Sequence, residues 1–169
     1  MKNKYILLAL SFCFLVYNSQ ATIYYVNINA TGSNVGTSWT NAFTDLQAAI
    51  NAAAANDEIW IAAGTYYPTS IPTSASSSSG TTLTSRDYAF YLDKYDIKIY
   101  GGFAGTETNI NQRDTASNRV ILSGNIGSLT DKTDNCYHVI IAKVGYTNFD
   151  YLKLDGLTVT DGYANGSGY

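Results

Sequence analysis

Cysteine, histidine and charged side chains are scarce in this chain, and each shortage excludes a class of chemistry. There are two cysteines, Cys13 and Cys136, and one histidine, His138. A zinc site with two histidines, or a nucleophile that depends on a second histidine, is therefore excluded. The sequence also lacks a Gly-x-Ser-x-Gly elbow, a Gly-Lys-Ser/Thr phosphate loop and a His-Glu-x-x-His motif. Several common catalytic arrangements are thus absent.

The low charge narrows the choice of partners. Charged residues make up 14% of the 169 residues, and the formal net charge is -3. Without a basic patch, neither nucleic acid nor an anionic lipid surface is an expected partner. The hydrophobic share of 46% is that of a folding chain rather than a disordered one.

The N-terminal 21 residues predict a secretory signal peptide. A basic start, Met1–Lys4, precedes the apolar run Tyr5–Val16 and small residues that end at Ala21. The apolar run is too short to span a membrane comfortably, so we expect cleavage after Ala21 and a secreted or cell-surface chain without a membrane span. Cleavage removes Cys13, which leaves Cys136 without an intrachain disulfide partner and predicts a buried apolar role for it.

The stretch 44–66 contains a change of hydrophobic period. Leu46 and Ile50 recur at helical spacing, whereas Ile59 and Ile61 alternate with their neighbours as in a strand. We interpret this stretch as an alanine-rich helix that covers the open end of a stack of β-sheets and leads into the first strand. Such stacks need a cap because their terminal edges would otherwise be exposed.

Local signals predict where this helix begins and ends. Thr44 and Gln47 have the spacing of a capping box, in which each side chain satisfies a free backbone donor at the helix start. Asn56 is suited to a left-handed stop at the other end.

Short strands separated by turn-rich segments follow the helix. After a Ser/Thr-rich excursion between Thr69 and Ser85, strands are predicted at Tyr88–Leu92, Ile97–Tyr100, Val120–Leu122, His138–Ile141, Tyr151–Leu154 and Leu157–Val159. If Ile97, Val120, Val139 and Leu157 are equivalent, the repeat is about twenty residues, which is typical of a solenoid. The pattern predicts about four to five coils.

Several motifs together carry a resemblance to a known family. They are Gly36-Thr37-Ser38-Trp39, the helix at 42–50, the strand at 57–68, Tyr100-Gly101-Gly102-Phe103 and the segment 154–166. In combination they resemble the N-terminal cap and first coils of secreted bacterial right-handed parallel β-helix proteins of the pectin-lyase-like superfamily. The resemblance implies an all-β fold, a right-handed parallel β-helix with an N-terminal capping α-helix, over residues 22–169. It also implies export and further coils after residue 165, so we expect a C-terminally truncated fragment.

The aromatic composition suggests a binding function. Tyrosine occurs fifteen times, and its ring combines an apolar face with a polar tip. Tyr66, Tyr91 and Tyr100 are the candidate binding residues, on the expectation that they stack on sugar rings along an exposed sheet. The favoured function is a non-catalytic, adhesin-like surface protein that binds a polysaccharide or surface glycan.

The alternative is a calcium-dependent polysaccharide lyase or glycoside hydrolase whose active coils are partly missing. The resemblance implies acidic residues that hold calcium and a basic residue that abstracts a proton. The candidates would be Asp150, Asp155 and Asp161 with Arg113 or Arg119. Because two of these aspartates precede glycine, ordinary turn chemistry also accounts for them. Calcium is the one cofactor that this alternative would add.

The last predicted strands leave an open edge. An unpaired edge from Tyr151 to Val159 offers backbone donors and acceptors to another chain, so we expect self-association there.

Overall fold

The chain folds into parallel strands with one short helix. The computed structural model describes residues 21–73, 75, 82–143 and 152–165, and the predicted signal peptide before Ala21 lies outside them. The elements are β1 (Ile23–Val26), α1 (Leu46–Ala52), β2 (Glu58–Ala62), β3 (Gly64–Tyr66), β4 (Phe90–Leu92), β5 (Lys98–Phe103), β6 (Val120–Ser123), β7 (Ile140–Ala142), β8 (Lys153–Asp155) and β9 (Leu157–Thr160). No helix among the described residues combines the length and apolar character needed to cross a membrane.

The strands form three parallel sheets that the chain visits in a fixed order. Sheet A has the order β1-β2-β5-β8, sheet B the order β3-β6-β9, and sheet C contains β4 and β7. The chain passes from sheet A to B to C through β2, β3 and β4, and repeats this order through β5, β6 and β7. It then begins the order again with β8 and β9. Every strand pairs in parallel with the strand of the same sheet that precedes or follows it in this cycle.

The predicted equivalence of Ile97, Val120, Val139 and Leu157 is wrong. Val120 and Leu157 lie in sheet B, whereas Ile97 precedes the sheet A strand β5 and Val139 precedes the sheet C strand β7. The step of about twenty residues therefore leads from one sheet to another, and a full cycle is longer. The described strands complete two cycles and start a third.

One apolar core joins the three sheets. Ile59 and Ile99 of sheet A are register partners and are at most 2% exposed. They share a cluster with Leu122 of sheet B and with Phe90 and Leu92 of sheet C. Alternate residues of the same strands point to the opposite face, as the strand period of two requires.

Helix α1 begins one residue later than the capping signal predicts. Its N-cap is Asp45, whose carboxylate accepts a hydrogen bond from the Gln47 backbone N–H at 2.8 Å. The predicted capping box with Thr44 is wrong, because Asp45 supplies the acceptor directly and the Gln47 side chain is engaged elsewhere. The helix ends at Ala52 with the extended residue Ala53 as its C-cap, so the predicted left-handed stop at Asn56 is wrong; Asn56 is left-handed, at φ 72°, but lies in the turn before β2.

Gln47 ties α1 to the end of sheet C. Its side-chain amide donates to the Tyr91 carbonyl at 3.2 Å and accepts from the Tyr91 N–H at 2.8 Å. The amide therefore replaces a neighbouring strand along the edge of β4. Leu46, Ala49 and Ile50 are at most 1% exposed and belong to the core. The helix thus covers the end of the sheets, as the sequence predicts.

A bulge in β5 shapes the outer face of sheet A. Trp60 pairs with Tyr100, but Ala62 pairs with Phe103, so β5 contains one extra residue. Gly102 absorbs it at φ 98°, a backbone conformation that glycine adopts readily. The extra residue turns Phe103 to the same face as Trp60 and Tyr100.

Candidate functional site

The three tyrosines predicted to bind sugars are buried. Tyr66 is 3% exposed, Tyr91 is 7% exposed and Tyr100 is 5% exposed. The Tyr66 hydroxyl donates to the Ala62 carbonyl at 2.9 Å, and burial raises the pKa of Tyr66 to about 12. The exposed aromatic surface that the binding prediction required is not found at these positions.

An aromatic row does exist on the outer face of sheet A, but it is covered. Tyr25, Trp60 and Tyr100 are successive register partners on β1, β2 and β5. The Trp60 ring stacks on Phe103 with ring centres 4.7 Å apart and planes at 10°. The Trp39 ring lies 4.8 Å from Tyr25 and 5.5 Å from Phe103, so it shields the row from solvent. This row is a second hydrophobic cluster rather than a sugar platform.

The loop that follows β5 is fixed by a buried carboxylate. Glu107 accepts hydrogen bonds from the backbone N–H groups of Ala104, Gly105 and Thr106, at 2.6, 3.0 and 2.9 Å. Burial raises the pKa of Glu107, but these amides outweigh burial and hold it below its ordinary value. The Glu107 carbonyl in turn accepts from the Trp39 indole N–H at 2.8 Å. The loop and the covering tryptophan therefore form one unit.

The structure joins one of the predicted acidic residues to one of the predicted arginines. Arg113 Nη1 lies 3.2 Å from Asp155 Oδ1, and its guanidinium carbon is 5.0 Å from the Tyr100 ring centre. Lys153 Nζ lies 3.6 Å from the same carboxylate. The hydrogen bond from Arg113 holds the pKa of Asp155 below its ordinary value. Arg113 Nε is buried without a hydrogen-bond partner.

The other residues of the lyase alternative do not converge with this pair. Asp161 accepts a hydrogen bond from Ser123 Oγ at 2.9 Å, and Asp150 lies outside the described residues. Arg119 directly precedes β6, where its carbonyl accepts a hydrogen bond from the Gly64 N–H at 3.1 Å. Across the described ranges, no three His, Cys, Asp or Glu side chains are grouped so that they could hold a metal ion.

Cys136 and His138 have opposite environments. Cys136 is fully buried, and burial raises the pKa of its thiol to about 11, which confirms the predicted apolar role. His138 is exposed and precedes β7 by two residues.

A groove of about 530 Å³ lies between the loops that follow β3 and β6 and the short 3₁₀ turn Ser85–Asp87. Tyr67 and Tyr88 line it, and Tyr67 is 42% exposed. None of the described residues that line the groove has a charged side chain. Part of the predicted Ser/Thr-rich excursion beside it, residues 74 and 76–81, lies outside the described residues.

Three polar residues, Thr69, Ser85 and Asn125, also line the groove. Thr69 and Ser85 contribute hydroxyl groups, and Asn125 contributes an amide. The Asn125 Oδ1 atom is buried and has no hydrogen-bond partner. A buried acceptor without a partner is costly, but because this atom is inaccessible to solvent it is not counted as a ligand contact.

Arg86 holds the turn that carries Ser85 and Tyr88. Its guanidinium stacks on the Tyr137 ring at 4.0 Å and donates to the Asn135 carbonyl at 2.9 Å. It also donates to the Tyr163 carbonyl at 3.0 Å and to Asn165 Oδ1 at 2.8 Å. One side chain thus joins loops that come from three successive passages through the sheets. This attachment positions the groove wall before any ligand binds.

Sequence reasoning missed this groove. Tyr67 directly follows the predicted binding residue Tyr66, but nothing in the sequence places Tyr88 or Asn125 beside it. The sequence does show that turn-rich segments follow the strands β3 and β6. Because these two strands pair in parallel, both segments begin at the same edge of sheet B. Loops after paired parallel strands lie close together.

No protein-family model matches the chain, and no curated protein or solved structure is significantly similar to it. The resemblance to secreted parallel β-helix proteins therefore stays a prediction.

Proposed function

We propose that this chain is an exported protein that forms a right-handed parallel β-helix with an N-terminal cap and binds neutral glycans. The repeated order of sheets A, B and C and the parallel register of successive strands support a β-helix. The position of α1 at the end of the sheets supports an N-terminal cap. The predicted signal peptide supports a secreted or cell-surface location.

The observation that carries the binding proposal is the uncharged groove lined by Tyr67 and Tyr88. Sugar rings present apolar faces that pack on aromatic rings and hydroxyl groups that donate hydrogen bonds. Tyr67 and Tyr88 supply the rings, and Thr69, Ser85 and Asn125 are the polar residues of the lining. Its volume of about 530 Å³ falls within the range of small-ligand sites and suits a short oligosaccharide. The absence of charge on its described lining favours a neutral sugar over an acidic one.

A glycan array followed by calorimetry tests this proposal. We expect binding to a neutral glycan, and Tyr67→Ala or Tyr88→Ala should weaken it about fivefold, since a lost aromatic contact costs about 1 kcal/mol. Tyr95→Ala is the matched control, because Tyr95 is 58% exposed and does not line the groove. Failure to bind any neutral glycan, or equal binding by the Tyr67 and Tyr95 variants, would refute this use of the groove.

One observation favours the enzymatic alternative. Arg113, Lys153 and Asp155 meet above Tyr100, and Arg113 Nε has no partner. A polysaccharide lyase would produce unsaturated sugars from an acidic polymer, which ultraviolet absorbance detects with and without added calcium. Turnover that is lost in Arg113→Lys would establish this alternative over the binding function.

A further inference from the structure

The described strands at one end of the molecule leave apolar side chains uncovered. Leu154 of β8 continues the core row of Ile59 and Ile99, and Val159 of β9 continues the row of Leu122. Ile99 and Leu122 are each 2% exposed, whereas Leu154 is 40% exposed and Val159 is 51% exposed. Among the described residues, no strand pairs with the outer edge of β8 or β9. The rows therefore end without a cover.

The backbone of β8 determines how another strand could pair with it. The Lys153 N–H donates to the Ile97 carbonyl at 3.1 Å, so the backbone of Lys153 faces inward toward the preceding strand. Because successive residues of a strand alternate in this direction, the N–H and C=O of Leu154 face the free edge. Leu154 can thus exchange two hydrogen bonds with a partner residue.

We propose that two copies of this chain pair through their β8 strands, antiparallel and with a twofold axis at Leu154. In this arrangement Leu154 forms the hydrogen-bonded pair with Leu154 of the second copy. Lys153 then lies opposite Asp155 of the second copy, and Asp155 lies opposite its Lys153. Side chains of paired residues share a face, so the two core rows join and sheet A continues across the axis.

Charge selects this register over its neighbours. A shift that keeps the apolar face inward places either Lys153 opposite Lys153 or Asp155 opposite Asp155 at the axis. Like charges that lie directly opposite destabilise a strand pair, whereas opposite charges stabilise it. A lysine on an edge strand disfavours most pairings with another strand. Here Lys153 disfavours the shifted registers and permits the register centred on Leu154. Within its own copy Asp155 already contacts Arg113 at 3.2 Å and Lys153 at 3.6 Å, but its side chain is 35% exposed and leaves room for a lysine of the second copy.

A second copy paired at this edge would also bury apolar surface that is exposed at this end of the molecule. It would cover Leu154 with an identical leucine and leave the helix-covered end of each copy facing outward. The chain's own segments 144–151 and 166–169 are the competing occupants, and they predict a monomer.

A pair of charge variants tests the proposal with the chain expressed from its full 169-residue sequence in an exporting host. Sedimentation velocity over a range of concentrations should show a dimer. Lys153→Asp places two aspartates opposite two aspartates, and Asp155→Lys places two lysines opposite two lysines, so each variant alone should dissociate at least about tenfold more readily. Mixed together, the two variants regain opposite charges and should form a heterodimer.

The controls make each outcome decisive. Lys94→Asp changes net charge by the same amount on the segment between β4 and β5, outside β8, and should leave the dimer intact. A monomeric wild type would overturn the proposal and favour cover by the chain's own segments. A Lys153→Asp variant that stays dimeric would also overturn it, as would a mixture that forms no heterodimer even though both variants keep the wild-type circular dichroism.

Discussion

The two ends of this molecule finish the same core in different ways. At one end α1 buries Leu46 and Ile50 to 1% exposure or less, and Gln47 occupies the edge of β4. At the other end Leu154 and Val159 are half-exposed although their register partners are buried. The comparison shows that an apolar side chain of the core is buried only where another element covers its row of register partners, whatever the residue type.

Matched leucine truncations should give the largest difference between the ends. Leu46→Ala removes a fully buried side chain and leaves a cavity, which should cost about 3 kcal/mol of unfolding free energy. Leu154→Ala removes a side chain that is already 40% exposed and should cost about 1 kcal/mol. Urea denaturation at a concentration low enough to populate monomers measures both.

The same two variants also test the proposed dimer when their stability is measured at several protein concentrations. At higher protein concentration the cost of Leu154→Ala should rise while that of Leu46→Ala stays constant, since association buries Leu154. Equal costs at low concentration would mean that the open end is covered in solution.

The edge protection by Gln47 should give the next largest effect. Gln47→Ala leaves the buried N–H and C=O of Tyr91 without partners, which should cost about 1–3 kcal/mol. Hydrogen exchange at the Tyr91 amide should accelerate accordingly. Asn51→Ala is the comparison: Asn51 is exposed on the same helix and accepts from the Gln47 side-chain amide at 2.9 Å, so its loss should affect Tyr91 less than the loss of Gln47 itself. If Tyr91 keeps its protection in Gln47→Ala, the helix does not act as a strand substitute.

Much of the fold could be predicted because it depends on local periodicity. The alternation in Ile59–Ile61 and the helical spacing of Leu46 and Ile50 both correspond to observed elements. The bulge at Gly102 could not be predicted, because alternation alone would place Phe103 on the inner face. Only the register with β2 shows that it joins the outer aromatic row.

The candidate site was predictable only in part, for a related reason. Tyrosine composition indicated aromatic surfaces, but whether Tyr100 is exposed depends on Trp39 and on the loop fixed by Glu107. Likewise, the contact between Arg113 and Asp155 joins residues of different passages through the sheets. Such contacts depend on sheet register, which a sequence pattern does not specify.

The smallest expected effect is a difference in how stability responds to acid. Glu107 holds the loop that covers sheet A, whereas Asp155 lies on β8 at the open end. Because the folded-state pKa of Glu107 lies below its ordinary value, its contribution to stability is complete above that ordinary value and is lost as pH falls through the lowered pKa. Glu107→Gln should therefore cost about 1 kcal/mol at neutral pH and flatten the decline in stability below about pH 5. Salt should change this contribution little, since backbone amides hold the carboxylate. Asp155→Asn is the comparison: the Asp155 pKa is also lowered, but its half-exposed ion pair with Arg113 should be screened by salt. An unchanged acid response in Glu107→Gln, measured by urea denaturation across pH, would show that the carboxylate does not hold the covering loop.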